Sequence, residues 1–158
     1  MAAALLPGQP MPARCVVDAS VAAKWLAPEP DSEQAAALLD AALLAPDLLL
    51  PEVANILWKK QSRGEMAVAT ATAAARWLRL APLQLHDSGA LLDDALALAM
   101  RLNHPAYDCF YLALAMQADC PLVTADRRLV ERCRRADARD LAGHVLDLEV
   151  AARTLGQG

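Results

Sequence analysis

Short apolar runs alternate with segments of helical periodicity along most of the chain. Cys15-Val16-Val17 is a buried-strand pattern that ends at Asp18, and helical spacing follows over 20–26. Similar short patterns predict four further strands, at 48–50, 80–86, 121–124 and 143–148. Pro82 makes the strand at 80–86 an edge strand, because proline cannot donate a hydrogen bond to a neighbouring strand.

Between these strands, apolar spacing and capping residues predict helices. The predicted segments are 31–44, 51–63 with Pro51 at its first position, 65–79, 88–102, 103–118 and a helix after Asp126. Strands that alternate with helices are typical of a layered α/β fold. We therefore predict a three-layer α/β sandwich, with a mostly parallel central sheet flanked by helices. One domain is expected over 13–150, with a loosely ordered tail at 1–12 and a carboxyl-terminal tail at 151–158.

Composition narrows the class of protein. The 158 residues are 56% hydrophobic and carry a net charge of −4, which excludes a disordered chain and a protein that coats duplexes by neutralising phosphates. No apolar stretch is long enough to span a membrane, and the first residues lack the basic segment of a signal peptide. Met11, within the loosely ordered tail, is an alternative start to Met1. Four cysteines without metal-binding spacing favour a reducing, cytoplasmic location.

Four acidic residues fall where predicted strands end or helices begin: Asp18, Glu52, Asp108 and Asp126. Ligands of open parallel sheets bind beyond the carboxyl ends of the strands, so these carboxylates are expected to converge. Two carboxylates about 5 Å apart repel by about 3 kcal/mol, so such a cluster needs a cation or a set of hydrogen-bond donors to offset the repulsion. If a cation is bound, oxygen-only ligands favour Mg²⁺ or Mn²⁺. The ordinary alternative is that each acid caps a helix or interacts with its dipole.

Four stretches around these acids resemble the four blocks of the PIN domain, and more narrowly those of VapC-type toxins from bacterial toxin–antitoxin pairs. They read VVDASVAAKW at 16–25, LPEVANILWK at 50–59, YDCFYLALA at 107–115 and LVTADRRL at 122–129. The resemblance covers about residues 14–150, and the four blocks occur in the family's order. It implies a PIN-like fold and a metal-dependent endoribonuclease.

By this resemblance, Asp18, Glu52, Asp108 and Asp126 are the catalytic and metal-binding residues, with Asp126 acting at a second metal or through water. Ser20 and Thr124 are expected to fix waters or neighbouring carboxylates, and Asn55 lies one helical turn after Glu52. The resemblance also implies that Mg²⁺ or Mn²⁺ activates a water that hydrolyses RNA, with products that carry a 5′-phosphate and a 3′-hydroxyl. The implied partners are the RNA substrate, a cognate VapB-type antitoxin and a second copy in a homodimer.

Six arginines lie between 127 and 139, and Arg127 and Arg128 are candidates for contacting RNA phosphates. The alternative for this stretch is an ordinary solvated helix face. His86, His104 and His144 show no partner pattern and are expected to be structural or surface residues.

Other classes of protein fit the sequence less well. A receiver domain requires a lysine after its last strand, but the lysines all lie in the first half of the chain. An aspartyl phosphatase requires Asp-x-Asp, and Ser20 occupies the second position. A non-catalytic PIN-like module that binds RNA or a protein remains open, because binding without cleavage leaves the same pattern of residues.

Overall fold

A five-stranded sheet forms the centre of the fold. The structure, a computed structural model, describes residues 14–155, so the predicted tail at 1–12 and the alternative start at Met11 lie outside the described residues. The strands are β1 (Arg14–Val17), β2 (Ala42–Pro46), β3 (Leu83–His86), β4 (Leu122–Thr124) and β5 (Val145–Asp147). Their order is β3-β2-β1-β4-β5, and every pairing is parallel. The predicted α/β sandwich is confirmed, and β3 is an edge strand as expected.

Eight α-helices connect or flank these strands within the described residues. They are α1 (Ala19–Leu26), α2 (Ser32–Ala37), α3 (Leu49–Ser62), α4 (Val68–Leu80), α5 (Leu92–Leu102), α6 (Ala106–Gln117), α7 (Arg127–Arg134) and α8 (Leu148–Leu155). Short 3-10 segments occur at Leu38–Asp40, Gly89–Leu91 and Ala136–His144. None of the helices from residue 14 to 155 is long and apolar enough to cross a membrane.

The sheet separates two apolar layers. Side chains alternate along a strand, so Val16 of β1 faces the larger layer, which includes buried residues of α3, α5 and α6. Cys15 and Val17 face the smaller layer, which contains residues of α2 and α8. Both faces of the central strand are therefore buried, as is usual for a parallel sheet.

The predicted position of the second strand was wrong. The helix expected over 31–44 ends at Ala37, and the strand is Ala42–Pro46 rather than 48–50. Leu43–Ala45 are buried between β1 and β3, and a short apolar run of this kind fits a buried strand as well as a helix by periodicity alone. Pro46 therefore ends a strand here and does not break a helix.

Other boundaries also differ from the prediction, among them those of α3, α4 and α8. Helix α3 begins at Leu49, so Pro51 is its third residue, where a missing N–H is still tolerated because the first-turn N–H groups have no partners within the helix. Gly64 follows Arg63, the C-cap of α3, with a φ of 74°, and α4 begins at Val68 instead of residue 65. Helix α8 continues through residue 150, where we predicted the domain to end, and Ala151 is fully buried.

The strand order positions a site at one edge of the sheet. From β1 the chain moves outward to β2 and β3, then returns across the sheet to β4 and β5 on the other side of β1. The carboxyl ends of β1 and β4 therefore flank the point where the direction of winding reverses, which is where open α/β sheets bind ligands. Asp18 directly follows β1, and Asp126 lies two residues after β4.

Candidate metal centre

Asp18 is the most constrained acidic residue at this edge. It is the N-cap of α1, and the Val21 N–H donates a hydrogen bond to its Oδ1 at 3.1 Å. The Ser20 hydroxyl donates to the same oxygen at 2.5 Å, and the Thr124 hydroxyl donates to Oδ2. Asp18 therefore links the ends of β1 and β4, and both of its oxygens have fixed directions.

The two hydroxyl groups are themselves held by the backbone that follows β4. The Ala125 N–H donates to the Ser20 oxygen and the Asp126 N–H donates to the Thr124 oxygen, both at 3.0 Å. Each hydroxyl oxygen accepts a hydrogen bond from the backbone while its own hydrogen is donated to Asp18. This network orients the Asp18 carboxylate and fixes the start of the turn that carries Asp126.

Burial dominates the electrostatics of Asp18. Its side chain is almost completely buried, and this desolvation raises its pKa from 3.8 to about 6. The three hydrogen bonds lower the pKa and offset part of the desolvation, whereas the negative charge of Asp108 raises it further. Near neutral pH, Asp18 is therefore a buried anion that favours a nearby cation.

Glu52 approaches the same region from the first turn of α3. The Tyr111 hydroxyl of α6 donates a hydrogen bond to its Oε1 at 2.6 Å. Partial burial raises the pKa of Glu52, with a further contribution from Asp108, while the hydrogen bond from Tyr111 lowers it. Burial and the neighbouring Glu52 also raise the pKa of the Tyr111 phenol, so Tyr111 remains protonated and acts as a donor.

Asp108 and Asp126 form the third part of the site together with a histidine. Within residues 14–155, ligand atoms of His104, Asp108 and Asp126 lie within 4.8 Å of one another, a spacing that suits a single metal ion. The His104 Nε2 lies 2.7 Å from the Asp108 Oδ2. Asp126 is the N-cap of α7 and accepts a hydrogen bond from the Arg128 N–H at 3.0 Å.

All four predicted acids thus lie in one region, and Asp108 is central to it. Its charge adds to the effect of burial in raising the pKa of both Asp18 and Glu52, as expected for neighbouring carboxylates. Asp18 and Glu52 nevertheless lie outside the 4.8 Å group around Asp108 and Asp126. The ordinary explanation for the acids is also correct in part, since Asp18 and Asp126 do cap helices.

The donor set fits a hard divalent cation. Four carboxylates supply the oxygen ligands that Mg²⁺ and Mn²⁺ prefer, and the free cysteines are buried apolar residues of the core. The negative charge of Asp108 disfavours ionisation of Asp18 and Glu52, and a bound cation would offset this repulsion between the carboxylates. Asp18, Glu52, Asp108 and Asp126 are therefore candidate ligands for such an ion, and among them the ligand atoms of Asp108 and Asp126 lie within 4.8 Å of each other.

The remaining predicted residues, Asn55, Arg127 and Arg128, differ in their contacts with the acids. Asn55 is exposed on α3. Arg127 is exposed and its Nη2 lies 3.2 Å from Glu149 of α8, whereas the Arg128 Nε lies 3.5 Å from Asp126. Arg128 is thus the predicted arginine that contacts an acid of the site.

Two residues of the site were not identified from the sequence. His104 was expected to be structural or on the surface, but it contacts Asp108, and the four-residue spacing between them was the available signal. Tyr111 lies in the stretch YDCFYLALA at 107–115, where no role was predicted for it, and its contact with Glu52 spans 59 residues of sequence. Contacts of that kind depend on how α3 and α6 pack.

Comparison with known proteins identifies the family. The model of the PIN domain matches residues 15–135, a range that includes all four acids. Ribonuclease VapC3 of Pyrobaculum aerophilum is 38% identical over 123 residues, covering 75% of this chain and 94% of that protein. The crystal structure of PAE2754 from Pyrobaculum aerophilum has the same fold, with a TM-score of 0.68 and 23% identity over 92% of this chain and 90% of that one. These matches show that the chain belongs to the PIN-domain family, as a protein of the VapC type.

Proposed function

We propose that this protein is a Mg²⁺- or Mn²⁺-dependent endoribonuclease toxin that a cognate VapB-type antitoxin inhibits. The observation that carries the proposal is the group of carboxylates at the carboxyl edge of the sheet: ligand atoms of Asp108 and Asp126 lie within 4.8 Å of each other, and the charge of Asp108 raises the pKa of Asp18 and Glu52. The identity to a protein named Ribonuclease VapC3 supports RNA as the substrate.

The chain contributes orientation and negative charge to this chemistry. Asp18 and Glu52 present carboxylates whose directions are fixed by Thr124, Ser20 and Tyr111. These acids would hold a divalent ion, which would supply an activated water and neutralise charge on the phosphate. Because the acids are pre-oriented, little reorganisation is needed when the substrate phosphate arrives.

Arginines near the acidic edge are suited to hold the RNA backbone. Arg127 and Arg128 begin α7 next to Asp126, whereas the exposed residues Arg134, Arg135 and Arg139 follow toward the amino edge of the sheet. Their guanidinium groups can bind phosphates without reading the base sequence. We propose that Arg127 and Arg128 contact RNA, with Arg127 leaving its ion pair with Glu149 when the substrate binds.

A groove between α3 and α4 fits a segment of the proposed antitoxin. It has a volume of 610 Å³, and its apolar part is lined by residues that include Leu57, Trp58 and Ala71. Trp58 is 61% exposed, which is unusual for a large apolar side chain. Arg76 and Arg79 also line the groove and provide positive charge. The groove therefore suits a segment with apolar side chains and a neighbouring acid.

An apolar stripe on α5 suits the proposed homodimer. Leu92, Leu96 and Met100 occur every fourth residue, and each exposes more than half of its surface. Side chains at this spacing lie along one helix face, so a second copy can cover them together. We also propose a cytoplasmic location, because the four cysteines are free and buried, as expected in a reducing compartment.

Cleavage of cellular RNA by the purified protein tests the proposed activity. The wild type, Asp18→Asn and the control Asp93→Asn, which changes an exposed acid of α5, are each assayed with Mg²⁺, Mn²⁺ or EDTA. We expect metal-dependent cleavage by the wild type and the control, and loss of cleavage in Asp18→Asn. Equal cleavage by all three proteins would refute the site assignment.

The same variants test the alternative of a non-catalytic module that binds RNA or a protein. Such a module would leave RNA uncut by a folded wild type that binds metal. The four oriented carboxylates favour catalysis, because binding a polyanion gains nothing from concentrated negative charge.

A further inference from the structure

His104 is held in place by a short turn between α5 and α6. Asn103 adopts a left-handed conformation with φ of 48°, which asparagine tolerates better than most residues, and it ends α5. The His104 N–H then donates to the Ala99 carbonyl at 3.1 Å, and Pro105 precedes the first residue of α6. This backbone leaves the imidazole only 10% exposed and in contact with Asp108.

The chemistry of the contact determines which group donates. An ionised carboxylate has no hydrogen to donate, so at 2.7 Å the imidazole Nε2–H donates and the Asp108 Oδ2 accepts. A nitrogen that carries this hydrogen cannot bind a metal through the same lone pair. The other lone pairs of the Asp108 carboxylate stay available to a cation between Asp108 and Asp126.

We infer that His104 is a positioning residue that orients the Asp108 carboxylate for the metal ion through the Nε2–H···Oδ2 hydrogen bond. This inference rests on the proposed metal-dependent function. Hydrogen-bond donors behind ligating carboxylates typically change metal affinity by 10- to 100-fold when they are removed. Thr124 and Ser20 act on Asp18 in the same way, and Tyr111 acts on Glu52, so His104 completes a set of donors behind the acids.

Metal affinity, measured without substrate, tests the inference. Mn²⁺ binding to the wild type, His104→Ala, His104→Gln and the control His144→Ala is followed by calorimetry. His144 directly precedes β5 and so lies at the amino edge of the parallel sheet, opposite the acids. We expect about 10- to 100-fold weaker Mn²⁺ binding in His104→Ala. His104→Gln retains an N–H donor of similar reach and should recover most of the affinity, while His144→Ala should match the wild type.

Pulsed electron paramagnetic resonance of bound Mn²⁺ distinguishes positioning from direct ligation. A positioning role predicts that ¹⁴N coupling from a directly bound imidazole is absent in the wild-type spectrum. Such coupling would show His104 as a ligand and overturn the inference, as would equal affinities in His104→Ala and His144→Ala. If the wild type binds Mn²⁺ but the His104 variants give a contrary result, only the positioning role of His104 is overturned and the proposed function stands. If the wild type does not bind Mn²⁺, both the positioning role and the proposed metal-dependent function are overturned.

Discussion

Replacing Asp18 by asparagine should stabilise the metal-free protein near neutral pH. The pKa of Asp18 is about 6 in the folded state, against 3.8 without burial, so ionisation is harder in the native state than in the unfolded chain. Between these pH values the native state holds a proton that the unfolded state has lost. Stability therefore falls as the pH rises through this interval, and the loss is complete above it.

The size of the effect follows from that pKa difference. Each pH unit corresponds to about 1.4 kcal/mol, so the ionised carboxylate destabilises the metal-free protein by about 3 kcal/mol at pH 7.5. The asparagine side chain carries no charge and keeps one oxygen acceptor, so Asp18→Asn should gain up to about this amount. For a chain of this length the gain corresponds to roughly 6–12 °C in melting temperature. At pH 4.5 it should shrink to about 1 kcal/mol, because native Asp18 is then protonated.

Thermal and chemical unfolding in EDTA, at pH 7.5 and pH 4.5, check this expectation with Asp93→Asn as the control. Mg²⁺ at 100 times its dissociation constant should add about 2.7 kcal/mol to the wild type and much less to Asp18→Asn. A lower melting temperature for Asp18→Asn at pH 7.5, or the same difference at both pH values, would refute the argument from burial. The hydrogen bonds to Asp18 would then outweigh its desolvation.

Three further predictions follow from the site and from α5. Asp108→Asn should raise the melting temperature of the metal-free protein and reduce the stabilisation by Mg²⁺, since it removes a charge that acts on two other acids; an unchanged melt with metal still bound would contradict the clustering. Tyr111→Phe should lower the free energy of unfolding by about 1–2 kcal/mol in chemical denaturation and shift the acidic limb of the cleavage profile to higher pH, because the lost hydrogen bond holds the pKa of Glu52 down. A pH profile of cleavage equal to that of the wild type would show that the hydrogen bond from Tyr111 does not hold down the pKa of Glu52. Leu96→Glu should convert a dimer to a monomer in analytical ultracentrifugation, whereas Leu80→Glu, at an exposed position on α4, should not; dimers in both variants would place the interface elsewhere.

The sequence was sufficient to predict the parallel α/β architecture and the positions of the acids at strand ends and helix starts, because both depend on local patterns. Asp18 and Asp126 follow short apolar strands, and strand ends meet at one edge of a parallel sheet whatever the helices do. The predicted position of β2 was wrong, but Glu52 still lies in the first turn of α3, as expected. The reason is that β2 ends shortly before that helix begins.

Contacts between distant elements could not be predicted from the sequence. Whether an apolar run such as 42–46 becomes a strand depends on neighbours that pair with it, here β1 and β3. The hydrogen bond from Tyr111 to Glu52 depends on the packing of α6 near α3. The contact of His104 with Asp108 is local by comparison, but their four-residue spacing alone does not reveal that the turn at Asn103 fixes the imidazole beside Asp108.

The hydrogen bond between Asp18 and Thr124 joins residues that are 106 positions apart. During translation at about 5–20 residues per second, roughly 5–20 s therefore separate the synthesis of the two. Throughout that time a growing chain contains Asp18 without the strand that orients it, and Asp126 has not yet been made. The four acids of the site are therefore present together only after most of the chain has been translated, and the ribosome is not exposed to the complete site before then.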